Sequence, residues 1–369
     1  MYKKILVFLC VCILCGCQNH IDVRESFETS TINVKKTMDM DDCPLVYDSI
    51  QFMPLNLAKS KISIPSKIYF HDNKVVVLDK IIRKQLCVFS MDGDFLYDIG
   101  KRGHAADEYM QPYDFDIRND SLFLIDSSKK KVLVYNICGQ FLCSYGQEKM
   151  VDGILALDDG GFLLSVSEFE ENCNYQLIKV NRSMKEEEGI LLMDKDRIDD
   201  KIADNVFQRV ENLIYYHRSF DSEILELNRN GDILRNIKVD FCREHVDKEF
   251  KTKEYQELKQ ALDKHNYEFF IDCPIIADDK LYANCFVGNK KATALIDIQS
   301  GVEYNNIFDV EKKIESNKCI MFPKTYFNKS IVGYFDATLL PLLSDKYTIP
   351  QKYLPILNNG GIVLCFYKI

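Results

Sequence analysis

A strand–turn unit that recurs at a fixed spacing constrains this chain more than anything else in it. Its clearest copy is Tyr113–Gly146, YDFDIRNDSLFLIDSSKKKVLVYNICGQFLCSYG, which reads as four short β-strands. Tyr113–Arg118 alternates, Asn119-Asp120 turns the chain, and Ser121–Asp126 is an apolar run. A polar loop then leads into Val132–Asn136, and Cys138-Gly139 turns it into Phe141–Tyr145. Runs of this length between turn residues predict an antiparallel meander. One such meander cannot bury both its faces, so its recurrence decides the fold. The turn Met91-Asp92-Gly93-Asp94 places its glycine 46 residues before Gly139, and Gly231 lies 92 residues after it, twice that period. Asp79 and Asp126 close equivalent second strands.

Read on this period, blade one is Ile68–Phe70, Val75–Asp79, Leu86–Ser90 and Phe95–Gly100, and the meander above is blade two. Blade three covers Ile154–Met193, blade four Val206–Val239 and blade five Ile271–Phe308. The period then slips, because Gly301 lies 70 residues after Gly231. The excess falls on Glu244–Tyr267, where Phe250, Tyr255, Leu258 and Leu262 recur at helical intervals among charges. This predicts an amphipathic helical insertion over 244–267 that caps one side of the ring or docks a partner. Blade six offers three strands, Lys318–Phe322, Ile331–Phe335 and Ile362–Tyr367, while Tyr47–Leu55 is a strand with no hairpin partner. Pairing that orphan with the C-terminal strand removes the open edges of a linear array. The expected fold is all-β: a six-bladed β-propeller of four-stranded antiparallel blades over 44–369, closed by its N-terminal strand.

The first residues concern location. Lys3-Lys4 followed by the apolar Ile5–Leu14 has the form of a secretory signal, too short to span a bilayer. Leu14-Cys15-Gly16-Cys17 resembles the lipobox of bacterial lipoproteins, which implies a signal peptide over 1–17 and lipidation of Cys17. Gln18, rather than Asp, follows that cysteine, which favours the outer membrane over inner-membrane retention. Residues 18–43 are polar and aperiodic and are expected to be a flexible tether. The formal charge of −9 argues against nucleic-acid binding, which needs basic surface. Of 14 cysteines ten remain past Cys17, none in a CxxC pair, so zinc is not expected. Most sit in apolar runs as buried thiols, with one disulfide allowed by an exported location.

With these residues in view the chain resembles the NHL-type repeat, through DSLFLIDSSKKKVLVYN, the glycine turn and FLCSYG. As a whole it is similar to the six-bladed β-propeller lipoproteins of anaerobic Gram-negative bacteria. The lipobox, the Gly100–Tyr109 link before Asp114-Phe115, and the terminal Ile362–Lys368 carry that resemblance. Members often show Gly-x-Gly-Pro-x-Glu-Tyr in the link; here Gly103, Glu108 and Tyr109 are kept, with Ala105 and Ala106 where Gly-Pro is expected.

Propeller ligands gather at a mouth of the central channel, where loops of several blades converge. The link supplies Arg102, His104, Glu108 and Tyr109, a mix suited to a sugar or a peptide end, although Glu108 and Tyr109 serve equally as braces of the inter-blade turn. Blade four supplies Arg209, His217 and Arg218; the arginines suit an anion, and the lone His217 lacks a catalytic motif around it. No G-x-S-x-G, Walker loop or H-E-x-x-H occurs. The first expectation is therefore a monomeric binding or scaffold module for a glycan, peptide or envelope protein, without a cofactor. The second is a hydrolase or lyase with a divalent metal on the channel axis, which requires carboxylates from several blades to converge. Converging carboxylates would favour the enzyme; a ring of Tyr and Arg would favour the binder.

Overall fold

The computed structural model describes residues 27–56, 62–167, 170, 173–193, 205–243 and 255–369, apart from the single positions 310, 316, 319, 346 and 348. Six antiparallel sheets stand around an axis. Blade one is Lys67–His71, Lys74–Asp79, Gln85–Ser90 and Phe95–Asp98; blade two is Pro112–Arg118, Ser121–Asp126, Lys131–Asn136 and Phe141–Gly146. Blade three runs from Val151–Ala156 to Glu186–Leu192, and blade four from Phe207–Val210 to Ile233–Asp240. The first strand of each blade lies innermost, and first strands of neighbouring blades touch one another around the channel. Second and third strands are covered on both faces, which is why Val75–Leu78 and Leu86–Phe89 read as unbroken apolar runs. The core is accordingly divided among the spaces between neighbouring blades.

Ring closure is as expected. Ser49–Pro54 pairs antiparallel with Val363–Lys368, setting Phe52 opposite Cys365 and Ile50 opposite Tyr367. Gly93 lies at the seam in the left-handed region (φ 87°), and a Cβ there would stand 2.0 Å from the Pro54 carbonyl oxygen. The turn that set the repeat spacing is thus also where blade one meets the closing strand.

Three sequence expectations are corrected. Residues 29–42 are not a tether: Thr29–Asn33 adds parallel to the outer strand of blade four, and Lys36–Asp39 adds parallel to that of blade five. This belt is held through backbone pairing at a sheet edge and buries few side chains, chiefly Ile32, Val34 and Met40, so it leaves no period-2 apolar pattern. Blade five does not begin with one strand over 271–276. Glu268–Phe270 and Ile275–Ala277 pair separately with Lys280–Val287, parted at Pro274, which has no N–H for a ladder. In blade six the first strand is Thr325–Phe327; Ile320 and Met321 are buried in the core outside any strand, and the Met321 N–H donates to the Tyr367 hydroxyl (3.2 Å).

The helical insertion is described as Tyr255–Lys264, with Ala261 and Leu262 packed against Phe220, Tyr267 and Phe269 at the junction of blades four and five. Phe250 and residues 244–254 lie outside the described residues, as do residues 1–26 with Cys17. The nine described cysteines are free thiols, and Cys319 lies outside the description. Among the described residues no helix is long and apolar enough to cross a membrane.

The paired aspartates turn out to hold the blade frame together. Asp79 accepts from the N–H groups of Ser63 (2.7 Å), Ile64 (3.1 Å), Ile82 (2.9 Å) and Arg83 (3.1 Å). Asp126 accepts from those of Met110 (2.7 Å), Gln111 (3.1 Å) and Lys129 (3.3 Å). Each fully buried carboxylate ties the link into its blade to the turn after its second strand. An orphaned buried donor costs about 1–3 kcal/mol, so Asp126→Ala is expected to lower the unfolding free energy by about 3–5 kcal/mol in urea titration, with Asp126→Asn in between. A loss under 1 kcal/mol would refute this role.

The belt also closes over a buried acid pair. Thr37 Oγ1 donates to Glu303 Oε2 (2.8 Å), and Arg243 pairs with Glu268 Oε2 (3.1 Å). The Oε1 atoms of both glutamates are buried without another donor among the described residues, and the two carboxyl groups hydrogen-bond each other. Burial first, and Glu303 beside it, push the Glu268 carboxyl well above the ordinary range. Folding therefore retains a proton that the unfolded chain releases near pH 4.5. This contribution is complete below that pH and is lost as pH rises toward the raised folded value. Glu268→Gln keeps the hydrogen bond without the titration, so its stability relative to the parent should rise between pH 6 and pH 9 in denaturant titrations. A pH-independent difference would count against the shared proton.

Candidate functional site

The inner strands carry charge, and that charge is paired between blades. At the end where the inner strands begin, Lys67 of blade one meets Asp114 of blade two (2.8 Å), whose other oxygen accepts from the Ile154 N–H of blade three (2.9 Å). Lys324 meets Asp272 at 3.3 Å, joining blades six and five. Burial raises the Asp114 pKa, and Lys67 opposes that rise. Near the other end Arg209 of blade four forks onto Asp116 of blade two (3.0 and 3.2 Å) and donates to Tyr69 of blade one (3.1 Å) and the Ala156 carbonyl of blade three (2.5 Å). Burial works against the Arg209 charge, but Asp116 and Tyr69 outweigh it and hold the guanidinium protonated. Burial, then Asp116, push the Tyr69 phenol up. Four blades therefore meet at one arginine.

The channel opens around this group at the face formed by the turns between first and second strands. Two of those turns, Asn119-Asp120 and Asn328-Lys329, have φ between 45° and 58° at both residues, as tight hairpins of the primed type require. A cavity of about 370 Å³ lies between Tyr69, Arg209 and the Thr325–Lys329 hairpin. A second, of about 280 Å³, lies between Tyr69, Arg209, Arg118, Asp158 and Arg229. Tyr69 and Arg209 line both. Aromatic rings stand on the blade-six side, where Phe70 and Phe327 stack at 4.1 Å. Guanidinium groups stand on the other: Arg118 lies over Phe162 (4.4 Å), and Arg229 pairs with Asp158 (3.0 Å).

Of the residues singled out from sequence, Arg209 alone lies at this mouth. Arg102, His104, Glu108 and Tyr109 sit in a link that joins an outer strand to an inner one, hence toward the opposite end of the channel. Within the link Glu108 accepts from the Ala105 N–H (2.9 Å) and pairs with Lys101 (3.0 Å). Tyr109 is fully buried, its hydroxyl accepting from the Leu86 N–H (3.4 Å). Arg218 is fully buried against Asp152 (2.8 and 3.2 Å), Ser165 (2.7 Å) and the Val166 carbonyl (3.0 Å). His217 is buried beside Phe270, bonded to the Glu223 carbonyl (3.0 Å), and burial lowers its pKa. These two residues are not brought together with Arg209.

The inner-strand carboxylates do not fit an axial metal, because Asp114, Asp116 and Asp272 are each clasped by a fixed cation. Among the described residues the one set of three donors close enough to share an ion is His71, Asp72 and Asp120, on exposed turns of blades one and two, where His71 already bonds Asp120 (2.7 Å).

A family model described as a domain of unknown function, DUF4934, matches residues 20–357. A solved structure from Bacteroides fragilis, named as an exported protein, superposes with a TM-score of 0.73 at 18% identity, covering 91% of this chain and 99% of its own. A member of the DUF4221 family from Bacteroides vulgatus gives 0.55 at 10% identity, covering 88% and 98%. At such identities the likeness is one of fold. No curated protein matches the chain.

Proposed function

This chain belongs to the DUF4934 family, and from that premise we propose that it is a cell-envelope binding module whose ligand seats at the mouth around Tyr69 and Arg209. The observation that carries the reading is the makeup of that mouth. Two cavities share one tyrosine and one arginine, with stacked aromatics on one side and guanidinium groups on the other. Rings offer faces to a sugar or an apolar side chain, while arginines orient an anionic group. The Asp116–Arg209–Tyr69 network fixes the mouth before any ligand arrives, and a preorganised site loses less entropy on binding. Glycan, peptide and partner protein remain the ligand classes this chemistry accommodates, with the chain acting as a monomer and without a cofactor.

The lipobox supports attachment through lipid on Cys17 at the outer membrane, and the exported Bacteroides fragilis neighbour agrees with an envelope address. In that arrangement the lipidated Cys17 precedes by twelve residues the point, Thr29, where the belt joins the outer strand of blade four. The metal-dependent hydrolase or lyase is the weaker reading, since it needs carboxylates that the channel cations already hold.

The experiment is a glycan array and a peptide array probed with the chain from residue 18 onward, in parallel with Tyr69→Ala. Binding that falls at least tenfold in the variant, at unchanged thermal midpoint, supports the reading. Binding indifferent to Tyr69, or no binding on either array, removes it. Attachment is tested separately: Cys17→Ala should shift the protein from the membrane to the soluble envelope fraction and abolish fatty-acid labelling.

A further inference from the structure

We infer that the mouth continues outward as a radial groove between blades six and one that takes an extended peptide, its apolar side chains along the groove and its acidic residue or terminal carboxylate at the mouth. This rests on the reading that the mouth is a binding site and narrows it to one ligand class. A third cavity, of about 460 Å³, lies between the blade-six face and the Met91-Asp92 turn of blade one. It shares Phe327 and Asn328 with the 370 Å³ mouth cavity, which in turn shares Tyr69 and Arg209 with the 280 Å³ one. The three therefore follow one another from the channel to the closing strand. Where the first passes into the second, Phe70 lies 4.1 Å from Phe327 and 5.6 Å from Phe366, making an aromatic floor.

The two ends differ in chemistry. The outer stretch is walled by Phe52, Met53, Met91 and Phe366 with Gln51, Asn328 and Ser330 among them, and its charges, Asp92 and Lys368, balance. Rings and thioethers favour apolar side chains, and the amides and hydroxyl between them suit the N–H and C=O groups of an extended peptide backbone. The inner stretch presents Arg118, Arg209, Arg229 and Lys329 against Asp158 and Glu211. With Asp116 behind Arg209 the balance is still cationic, in a chain of net charge −9. Charge complementarity thus seats an anion at the mouth. The distance from inner to outer strand is three inter-strand spacings, about 14 Å, which an extended chain rising about 3.3 Å per residue crosses in about four residues.

The test is selection of a random octapeptide library, displayed with free C-termini, on the chain from residue 18 onward. Enriched peptides are then measured by fluorescence anisotropy. The expected result is enrichment of apolar residues followed by a terminal acid. Met91→Asp and, on the opposite wall, Gln51→Glu should each weaken binding at least tenfold. Arg229→Glu should weaken the acidic peptide tenfold and its amidated, neutral form less than threefold. Variants are compared at equal thermal midpoints, and two walls are tested so that misfolding of one variant leaves the other to decide. No enrichment, or affinity indifferent to both wall substitutions, overturns the groove. If a glycan instead binds in a Tyr69-dependent way, the mouth stands and the peptide groove falls. If neither class binds, both fall.

Discussion

A chain that begins at Asn56 is expected to lose its cooperative thermal transition and to elute as oligomers. The cut removes Ser49–Pro54, and with it the whole backbone ladder to Val363–Lys368, together with the buried Met53 and Leu55. The C-terminal strand then becomes an open apolar edge, the template on which chains pair with one another. Domains are stable by about 5–15 kcal/mol, and loss of a closing strand removes a comparable amount. A chain that begins at Cys43 lacks only the belt on blades four and five and should still melt cooperatively at a lower midpoint. A synthetic peptide of residues 43–56 added to the shorter chain should restore the transition by strand addition. If the Asn56 chain melts like the parent, closure is not what holds the ring.

The contrast between those two truncations follows what the sequence could and could not convey. Closure was legible because both partners are internally periodic and one had no neighbour to pair with. The belt was not, because Thr29–Asn33 and Lys36–Asp39 are held by main-chain bonds at an edge, and such bonds leave no trace in side-chain pattern. The Pro274 break and the buried Ile320-Met321 mislead for the opposite reason: their apolar runs look like strands, but the burial there is not the burial of a continuous ladder strand. At the mouth, Arg209 was found through its charge, but its partners Tyr69 and Asp116 lie in other blades, 140 and 93 positions away in sequence. One signal would have exposed more of the mouth. Aligning blades on the turn after the first strand brings Phe70-His71 of blade one into register with Tyr326-Phe327 of blade six, and puts Arg118 just before the same turn in blade two. The repeating glycines lie on the turns before outer strands, far from the channel.

Arg218 makes the same point energetically, and its removal is the second large effect. Arg218→Met is expected to cost about 3–5 kcal/mol, because it takes a fully buried cation away from Asp152 and breaks the bonds to Ser165 and Val166 with it. The side chain is fully buried and makes four hydrogen bonds to blade three, two of them a fork onto Asp152 at 2.8 and 3.2 Å. Arg218→Lys keeps the charge but cannot reproduce the fork together with the bonds to Ser165 and Val166, so it should fall between parent and Met. The decisive variant is the double one, Arg218→Met with Asp152→Leu. If the single loss arises from parting this ion pair, removing both partners should recover much of it. Urea titration of the four proteins gives the coupling directly, and a double variant as unstable as the sum of the singles would place the cost in lost packing instead. Because Arg218 lies outside the mouth, ligand affinity measured on the folded fraction should stay within about twofold of the parent, whereas Tyr69→Ala should do the reverse, with small loss of stability and large loss of binding.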